Sequence, residues 1–345
     1  MERIDVPPSR PRAVTLQDVA DRAGVSRSAA SFALTNRGRV AEATRERVRE
    51  AARELGYRPN RTARNLRTQR TGTIGLCLPP QATMRVYYMD VTFGAVEAAA
   101  DLGLLVAIVP GGRNLDTALR EFDGLLVFDP IADDPMIGAA QAAGLPVVTG
   151  ERPMTPSPAV RGTIHGDHHR TLPTLLDHLE AQGARRPALI SPVASTDWAA
   201  SSRAAYAAWC EQRGIAPRIR DTRFPGLGDE VHQAALDLAA DPTVDAIVSM
   251  TDGTVLEVLA AAREVGRVPG EDLLVAGAAD SPAFTVTQPT ITSLDLRPRE
   301  FGAQCLRLLH EILETSPEAL IERTGPVDLV VRESTARKLG ANPRQ

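Results

Sequence analysis

At 345 residues, with a formal net charge of −4 and 43% hydrophobic residues, the chain has room for a small domain beside a larger two-lobed one, and its overall charge alone argues against a nucleic-acid partner. Three widely separated cysteines, Cys77, Cys210 and Cys305, fall in no CxxC or Cys/His spacing, which excludes a zinc motif and a disulfide framework and leaves them as buried hydrophobes in a reducing compartment. No stretch approaches 18 apolar residues and residues 1–13 lack an apolar signal core, so a cytoplasmic protein with no membrane partner is expected.

Along the chain the charge is split. Residues 1–71 carry 16 Arg against 8 Asp and Glu, net +8, and the remainder carries 23 basic and 35 acidic residues, net −12. A cationic head on an anionic body is the footprint of a protein that offers one end to phosphate. Lys338 is the sole lysine, a bias that base composition of the genome explains as well as function does. Residues 1–13 read as a disordered arm, either simply solvated or adding a phosphate contact through Arg10 or Arg12.

Thr15 is a good N-cap, and Asp18 three residues on completes a capping box for a short helix with Leu16, Val19, Ala20 and Ala23 on one face. Gly24 breaks it, and Ser26 caps a second helix running through about Thr35. Two short helices around a glycine turn are the helix-turn-helix signature. In the second, Val25, Ala29, Ala30, Ala33 and Leu34 face inward, and Arg27, Ser28, Ser31 and Phe32 share an outer face that is small, polar and cationic, suited to a major groove. A third helix covers roughly 42–55, with Val48, Ala51, Ala52 and Leu55 as its stripe and Gly56 at its end. The segment 57–67 has helical propensity but only Ala63 and Leu66 to bury, so it needs a partner to fold.

From residue 73 buried strands alternate with amphipathic helices. Strands are expected at 73–78, 104–109, 125–128 and 146–149, with helices at 89–102, 114–121 and 135–143. The second half repeats the design, with strands at 188–191, 246–250 and 273–277 and helices at 171–182, 201–213, 231–240 and 253–265. Such alternation predicts parallel, doubly wound sheets whose ligands bind at the carboxyl ends of strands. No GxGxxG or GxxxxGK[ST] loop and no nucleophile elbow occurs, so neither an enzyme nor a cofactor is expected. His165, His168 and His169 cluster without the acid or cysteine spacing of a metal site.

The run from VTLQDVADRAGVS through RERVREAARELGYRPN to ARNLR resembles, in order and spacing, the LacI/GalR family of bacterial transcriptional regulators, and VDLVVRESTA matches the family's usual ending. The resemblance implies an all-α helix-turn-helix head plus hinge helix, followed by an α/β two-lobed periplasmic-binding-protein-like effector domain with doubly wound parallel sheets. The divisions expected are 14–59 for the head, 60–71 for the hinge helix and linker, and 72–345 for the effector domain. Within it one lobe covers about 72–163 and 292–320 and the other about 164–290 and 325–340, with crossings near 160–167, 291–296 and 328–332. It further implies a homodimeric repressor on a near-palindromic operator, controlled by a small-molecule effector (a sugar or related metabolite) in the interlobe cleft. The alternative, a solute-binding protein of the same fold, is opposed by the missing signal peptide and the +8 head.

For DNA, the resemblance points to Thr15, Leu16, Ser26, Arg27, Ser28, Ser31, Phe32, Asn36, Asn60, Ala63 and Leu66. Arg27 makes either a bidentate guanine contact or a phosphate contact, and Phe32 either meets a thymine methyl or packs between helices. Thr15, Ser26, Ser31 and Asn36 match phosphate binders, Asn60 starts the hinge, and Leu66 falls at the leucine wedge that kinks a minor-groove step. Ala41 replaces a capping Ser, which weakens the start of the third helix. For the effector it points to Tyr87 and Tyr88, Asp167, Ser202 with neighbouring Arg203 at the pocket arginine, Phe224, Thr251 with Asp252, and Asp280. Asp252 alternatively caps the helix beginning at Gly253, and Phe224 alternatively only packs. No heptad repeat follows Arg332, so no tetramerising coiled coil is expected.

Overall fold

The structure, a computed structural model, describes residues 14–35, 40–57, 70–79, 86–109, 118–223, 228–251 and 253–336. The expected arm at 1–13, residues 60–69 of the hinge and the first half of the helix expected at 114–121 lie outside the described residues. The chain divides into two units, Met1–Arg70 and Thr71–Gln345.

Among its described residues the first unit holds three helices, α1 (Leu16–Ala23), α2 (Arg27–Thr35) and α3 (Glu42–Glu54). The Thr15 N–H donates to Asp18 Oδ2 at 2.7 Å and the Asp18 N–H donates to Thr15 Oγ1 at 3.3 Å, so the capping box closes as expected. Gly24 turns the chain at φ 64°, and Ser26 Oγ accepts the Ala29 N–H at 3.1 Å to start α2. At the head of α3, Ala41 supplies no side-chain cap, as its missing hydroxyl requires. Val19, Ala20, Ala30, Ala33, Val48, Ala51 and Ala52 form the core, whose small side chains let three short helices approach closely. Arg22 and Glu54 tie α1 to α3 at 2.7 Å.

The second unit is laid down in runs that alternate between two sheets. The first run is β1 (Thr73–Cys77), α4 (Val86–Asp101), β2 (Leu105–Ile108), β3 (Gly124–Phe128), α5 (Pro135–Ala143), β4 (Val147–Gly150) and β5 (Val160–His165). The second is α6 (His168–Ala181), β6 (Pro187–Pro192), α7 (Asp197–Gln212), β7 (Ile219–Thr222), α8 (Gly228–Ala239), β8 (Ala246–Ser249), α9 (Val255–Glu264), β9 (Leu274–Gly277) and β10 (Thr292–Asp295). α10 (Pro298–Thr315) and β11 (Ile321–Thr324) return to the first lobe, and β12 (Asp328–Val330) to the second. The first sheet has the order β11-β5-β4-β3-β1-β2 and is wholly parallel; the second runs β12-β10-β9-β8-β6-β7, with β12 alone antiparallel. Every residue of β3, β4, β6, β8 and β9 is buried, as strands covered on both faces must be. Cys77, Cys210 and Cys305 are free and buried, and burial pushes the Cys77 thiol up to about 12. No described helix is long and apolar enough to cross a membrane.

Several expected divisions move. Residues 292–295, expected in the first lobe, form β10 of the second sheet, so the chain crosses after Asp295 rather than before it. The last crossing falls at 325–327, ahead of β12, and not at 328–332. Residues 164 and 165, expected in the second lobe, close β5 of the first sheet, and 321–324 add its edge strand. These strands are short and half polar, and pairing with distant neighbours decides them. The 18-residue α10 was not expected, although Phe301, Cys305, Leu308, Leu309 and Ile312 carry a helical apolar period and are buried against the first sheet.

α10 lies directly on α4, and two glycines permit it. A Cβ built on Gly94 would sit 1.8 Å from the Arg299 carbonyl oxygen, and one on Gly302 would sit 2.0 Å from that of Val91. Gly302→Ala should therefore destabilise the second unit by about 1–3 kcal/mol or more, the usual range for overpacking, read from the midpoint of urea unfolding. A loss below about 0.5 kcal/mol, the surface-substitution range, would show that the helices are not locked at this crossing.

Candidate nucleic-acid interface and interlobe cleft

On the first unit, Arg27, Ser28 and Phe32 project from the exposed face of α2; Phe32 is 48% exposed although it is a large apolar side chain. Arg27 has no ion-pair partner among the described residues, so its charge is available to a ligand. Thr15 and Ser26 are exposed as well as capping, Ser31 is half-buried, and Leu16 leans on the helical core. Phe32 is too exposed for the packing alternative to account for it. Asn36, Asn60, Ala63 and Leu66 lie outside the described residues.

In the second unit the parallel strands of the first sheet end where α6 and α7 of the second lobe begin. Asp129 follows β3 and Glu151 follows β4, both with left-handed backbone, at φ 47° and 77°. Non-glycine residues hold such a conformation only where their surroundings enforce it. The Tyr88 hydroxyl donates to Asp129 Oδ2 at 2.5 Å, and Tyr87 meets the Tyr88 ring edge-on at 5.2 Å. Glu151 Oε1 accepts the Gly166 N–H at 3.1 Å, and Glu151 Oε2 lies 2.8 Å from His168 Nε2, both side chains buried. Because His168 is the first residue of α6, this pair joins the two lobes beside the first crossing. A second joint is a backbone bridge between Ile131 and Thr196.

Electrostatics follow from burial. Burial, then the nearby Glu151 charge, raises Asp129 to about 7 against the opposing hydrogen bond from Tyr88. Burial opposes charging His168, but Glu151 foremost, with Asp197 and Asp129, outweighs it and raises the imidazole above its ordinary value. Burial, with Asp129 and Glu151, also holds Tyr87 well above the ordinary phenol range. Beside the pair opens a cavity of about 450 Å³, whose walls include Arg152, His165 and Arg323 from the first lobe and Asp167, His169 and Ser201 from the second.

Of the expected effector contacts, Asp167 reaches this cavity, and Tyr87 and Tyr88 lie on the adjoining acids. Three others are engaged elsewhere. Ser202 is buried on the inner side of α7, and Ser201 lines the cavity instead, as the helical rotation between neighbours dictates. Arg203 donates to Asp221 Oδ1 at 2.6 Å and to the Pro192 carbonyl at 3.3 Å, at the β6–β7 edge. Asp280 is gripped at both oxygens by Arg332, at 2.8 and 2.9 Å, and accepts from Ser293 Oγ. Burial works against its charge, yet Arg332 and Ser293 hold its carboxyl below the ordinary range. Thr251 is buried, its carbonyl accepting the Thr254 hydroxyl at 2.6 Å. Phe224 and Asp252 lie outside the described residues. Sequence reasoning missed Asp129, Glu151 and the pairing of His168; the signal available was an acid directly after a buried strand, twice over.

Comparison with known proteins agrees with this construction. Residues 15–60 match the model of bacterial regulatory proteins of the lacI family, and residues 176–335 a periplasmic binding protein-like domain. The HTH-type transcriptional regulator CelR of Thermobifida fusca is 31% identical over 348 residues, covering 94% of this chain and 99% of its own. The HTH-type transcriptional repressor CytR of Escherichia coli strain K12 is 25% identical, covering 94% and 96%. A solved complex of CelR with cellobiose superposes with a TM-score of 0.70 at 27% identity, covering 94% of this chain and 100% of that one. The operator-bound lac repressor dimer, at 23% identity, shares the fold with a TM-score of 0.71 over 94% and 99%. A groove-reading head joined to a two-lobed ligand-binding body defines a DNA-binding transcriptional regulator and not an enzyme. The chain belongs to the LacI family of bacterial regulators.

Glu151→Gln keeps an oxygen for the Gly166 N–H and removes the charge facing His168. His168 should then titrate at lower pH than in the parent, followed through its Cε1–H resonance by NMR. An unmoved titration would show that the carboxylate does not govern the imidazole.

Proposed function

We propose that the protein is a cytoplasmic homodimeric repressor of a near-palindromic operator, released or engaged by a saccharide or related polyhydroxyl metabolite held between its lobes. The observation that carries the DNA half is the exposed, unneutralised Arg27 beside Ser28 and Phe32 on a helix whose opposite face is core. The saccharide half is supported by the polar walls of the 450 Å³ cavity and by the relative whose solved complex holds cellobiose. The solute-binding alternative leaves the cationic head unexplained and is set aside.

A second copy of this chain is the occupant proposed for an apolar stripe on the first lobe. Val86, Met89, Phe93 and Val96 recur along one side of α4, and Ile108 on edge strand β2 adds to them from the face that Val106 shares, all between 41% and 62% exposed. An exposed apolar edge on a parallel sheet is an interface signal, and the operator-bound lac repressor with the same fold is a dimer. Phe93→Asp should weaken dimerisation by about 30-fold or more, the effect of a 2 kcal/mol hot spot, in sedimentation velocity. A variant dimerising like the parent would remove this face from the interface.

The central test is operator binding by gel shift with the promoter region of the protein's own gene. With roughly six phosphate contacts, affinity should fall about 10³-fold between 50 and 200 mM salt. Leu66→Ala should weaken operator binding far more than binding to unrelated duplex, as expected of a wedge that acts only on a kinked step. Salt-insensitive binding, or equal loss on both duplexes, would count against this reading.

A further inference from the structure

From the seam between the lobes we infer a proton-operated latch: in the free protein the lobes hold together below neutrality and loosen above it. The inference rests on the two-lobed reading but needs neither operator nor effector, so its failure would leave the regulator assignment standing.

The geometry is a contact made across the seam at two places. Glu151 of the first lobe grips His168 of the second at 2.8 Å, and the Ile131–Thr196 backbone bridge closes the opposite flank of the same cluster. Between them the acids outnumber the cations. Asp129 comes from the end of β3, Glu151 from the end of β4 and Asp197 from the start of α7. One Asp197 oxygen accepts from Ser201 Oγ at 3.2 Å; the other is buried with no partner among the described residues. The remaining titratable groups facing the pair are Tyr87 and Tyr88 on α4, Cys305 on α10, His165 on β5, and Asp167 and His169 in the cavity wall. Arg152 and Arg323 are the permanent cations in the cavity wall; Glu322 lies 3.6 Å from Arg152 and Glu311 lies 2.9 Å from Arg323. Gly166 presses on the imidazole: a Cβ there would lie 2.5 Å from His168 Cε1.

Separating the lobes returns these groups to water, where a carboxyl ionises near 4 and an imidazole near 6.5. Both shifts at the seam have the same sign. A raised His168 stabilises closure fully below about 6.5 and ceases to as pH climbs through its higher closed-state value. Asp129, at about 7 when closed, is neutral beside Glu151 below that pH and must ionise against it above. The closed seam binds more protons than the open one, so closure weakens with rising pH. From Asp129 alone, the closed-to-open ratio should fall by at most about tenfold between about pH 6 and pH 8.5, because Glu151 stays beside it on the first lobe when the lobes part.

The test is energy transfer between dyes on exposed sites of the two lobes, for instance Arg120→Cys and Arg186→Cys, in the full chain without DNA or sugar. Labelled protein is diluted into excess unlabelled protein so that only pairs within one chain report. Transfer should be higher near pH 6 than near pH 8.5. His168→Gln and Asp129→Asn should each flatten the profile, and Gly166→Ala should do so with every charge retained, because it displaces the ring from Glu151. A flat profile in the parent, or a parent-like profile in a folded variant carrying both His168→Gln and Asp129→Asn, would overturn the latch; the parent measurement decides the matter even where a variant fails to fold.

Discussion

Neither lobe of the body is a continuous piece of chain. The first sheet is finished by β11, which arrives only after the whole of the second sheet but one strand has been built, and the second is finished by β12 after that. The chain must therefore pass between lobes at 166–167, 296–297 and 325–327, three strands of backbone side by side. This restricts how the lobes move. A single tether would permit any relative orientation; three parallel tethers leave a bend or twist about the line through them. Each lobe meanwhile keeps its own buried core, the condition for moving as a body. Because parallel strands of one sheet all end on one side, that motion changes the distance between strand ends, which is where Asp129 and Glu151 stand.

Desolvated carboxylates at such a seam do not serve stability. Two acids held in left-handed backbone, one raised to about 7 by the other and by burial, are a local expense that aliphatic side chains would avoid. Their value is that the contact is conditional. Apolar packing across the seam would close it at every pH and with every ligand, whereas a desolvated acid–imidazole pair is favourable only in one protonation state and one geometry. A ligand with differential affinity for the closed form needs a body whose two states lie within a few kcal/mol of each other. Polar seams and apolar lobe cores divide the labour: Ile74, Leu76, Val148 and Leu306 are wholly buried within a lobe, and titratable groups face across it.

What could be read from the chain was whatever local chemistry decides. The capping box at Thr15, the αL glycine at Gly24 and the Ser26 cap specify α1 and α2 from a few neighbouring residues, and they appear as expected. Continuous apolar runs likewise marked β1, β3, β8 and β9. The short edge elements escaped, because β7, β11 and β12 have exposed polar residues and exist through pairing with strands far along the sequence. The same distance hides the partners of expected site residues. Asp280 looks like a free acid after β9 until Arg332, 52 residues later, takes both its oxygens, and Arg203 looks like a pocket cation until Asp221 claims it. His168, which the sequence showed only as one of three clustered histidines, has its part assigned by Glu151, 17 residues earlier.

The charge division along the chain completes the physical picture. An anionic body is repelled by duplex phosphate, so the only part of this molecule with electrostatic reason to approach DNA is the 71-residue front, at +8. That front buries a core built largely of alanines, too small to contribute much rigidity. Affinity from such a head comes chiefly from counterion release and from doubling the head in a dimer, both long-range or geometric terms. Each is sensitive to how two heads are spaced and insensitive to fine packing within either. On the dimeric reading proposed above, a change in the spacing of two heads would control binding without altering a single residue of the reading face, since spacing is the quantity the duplex measures.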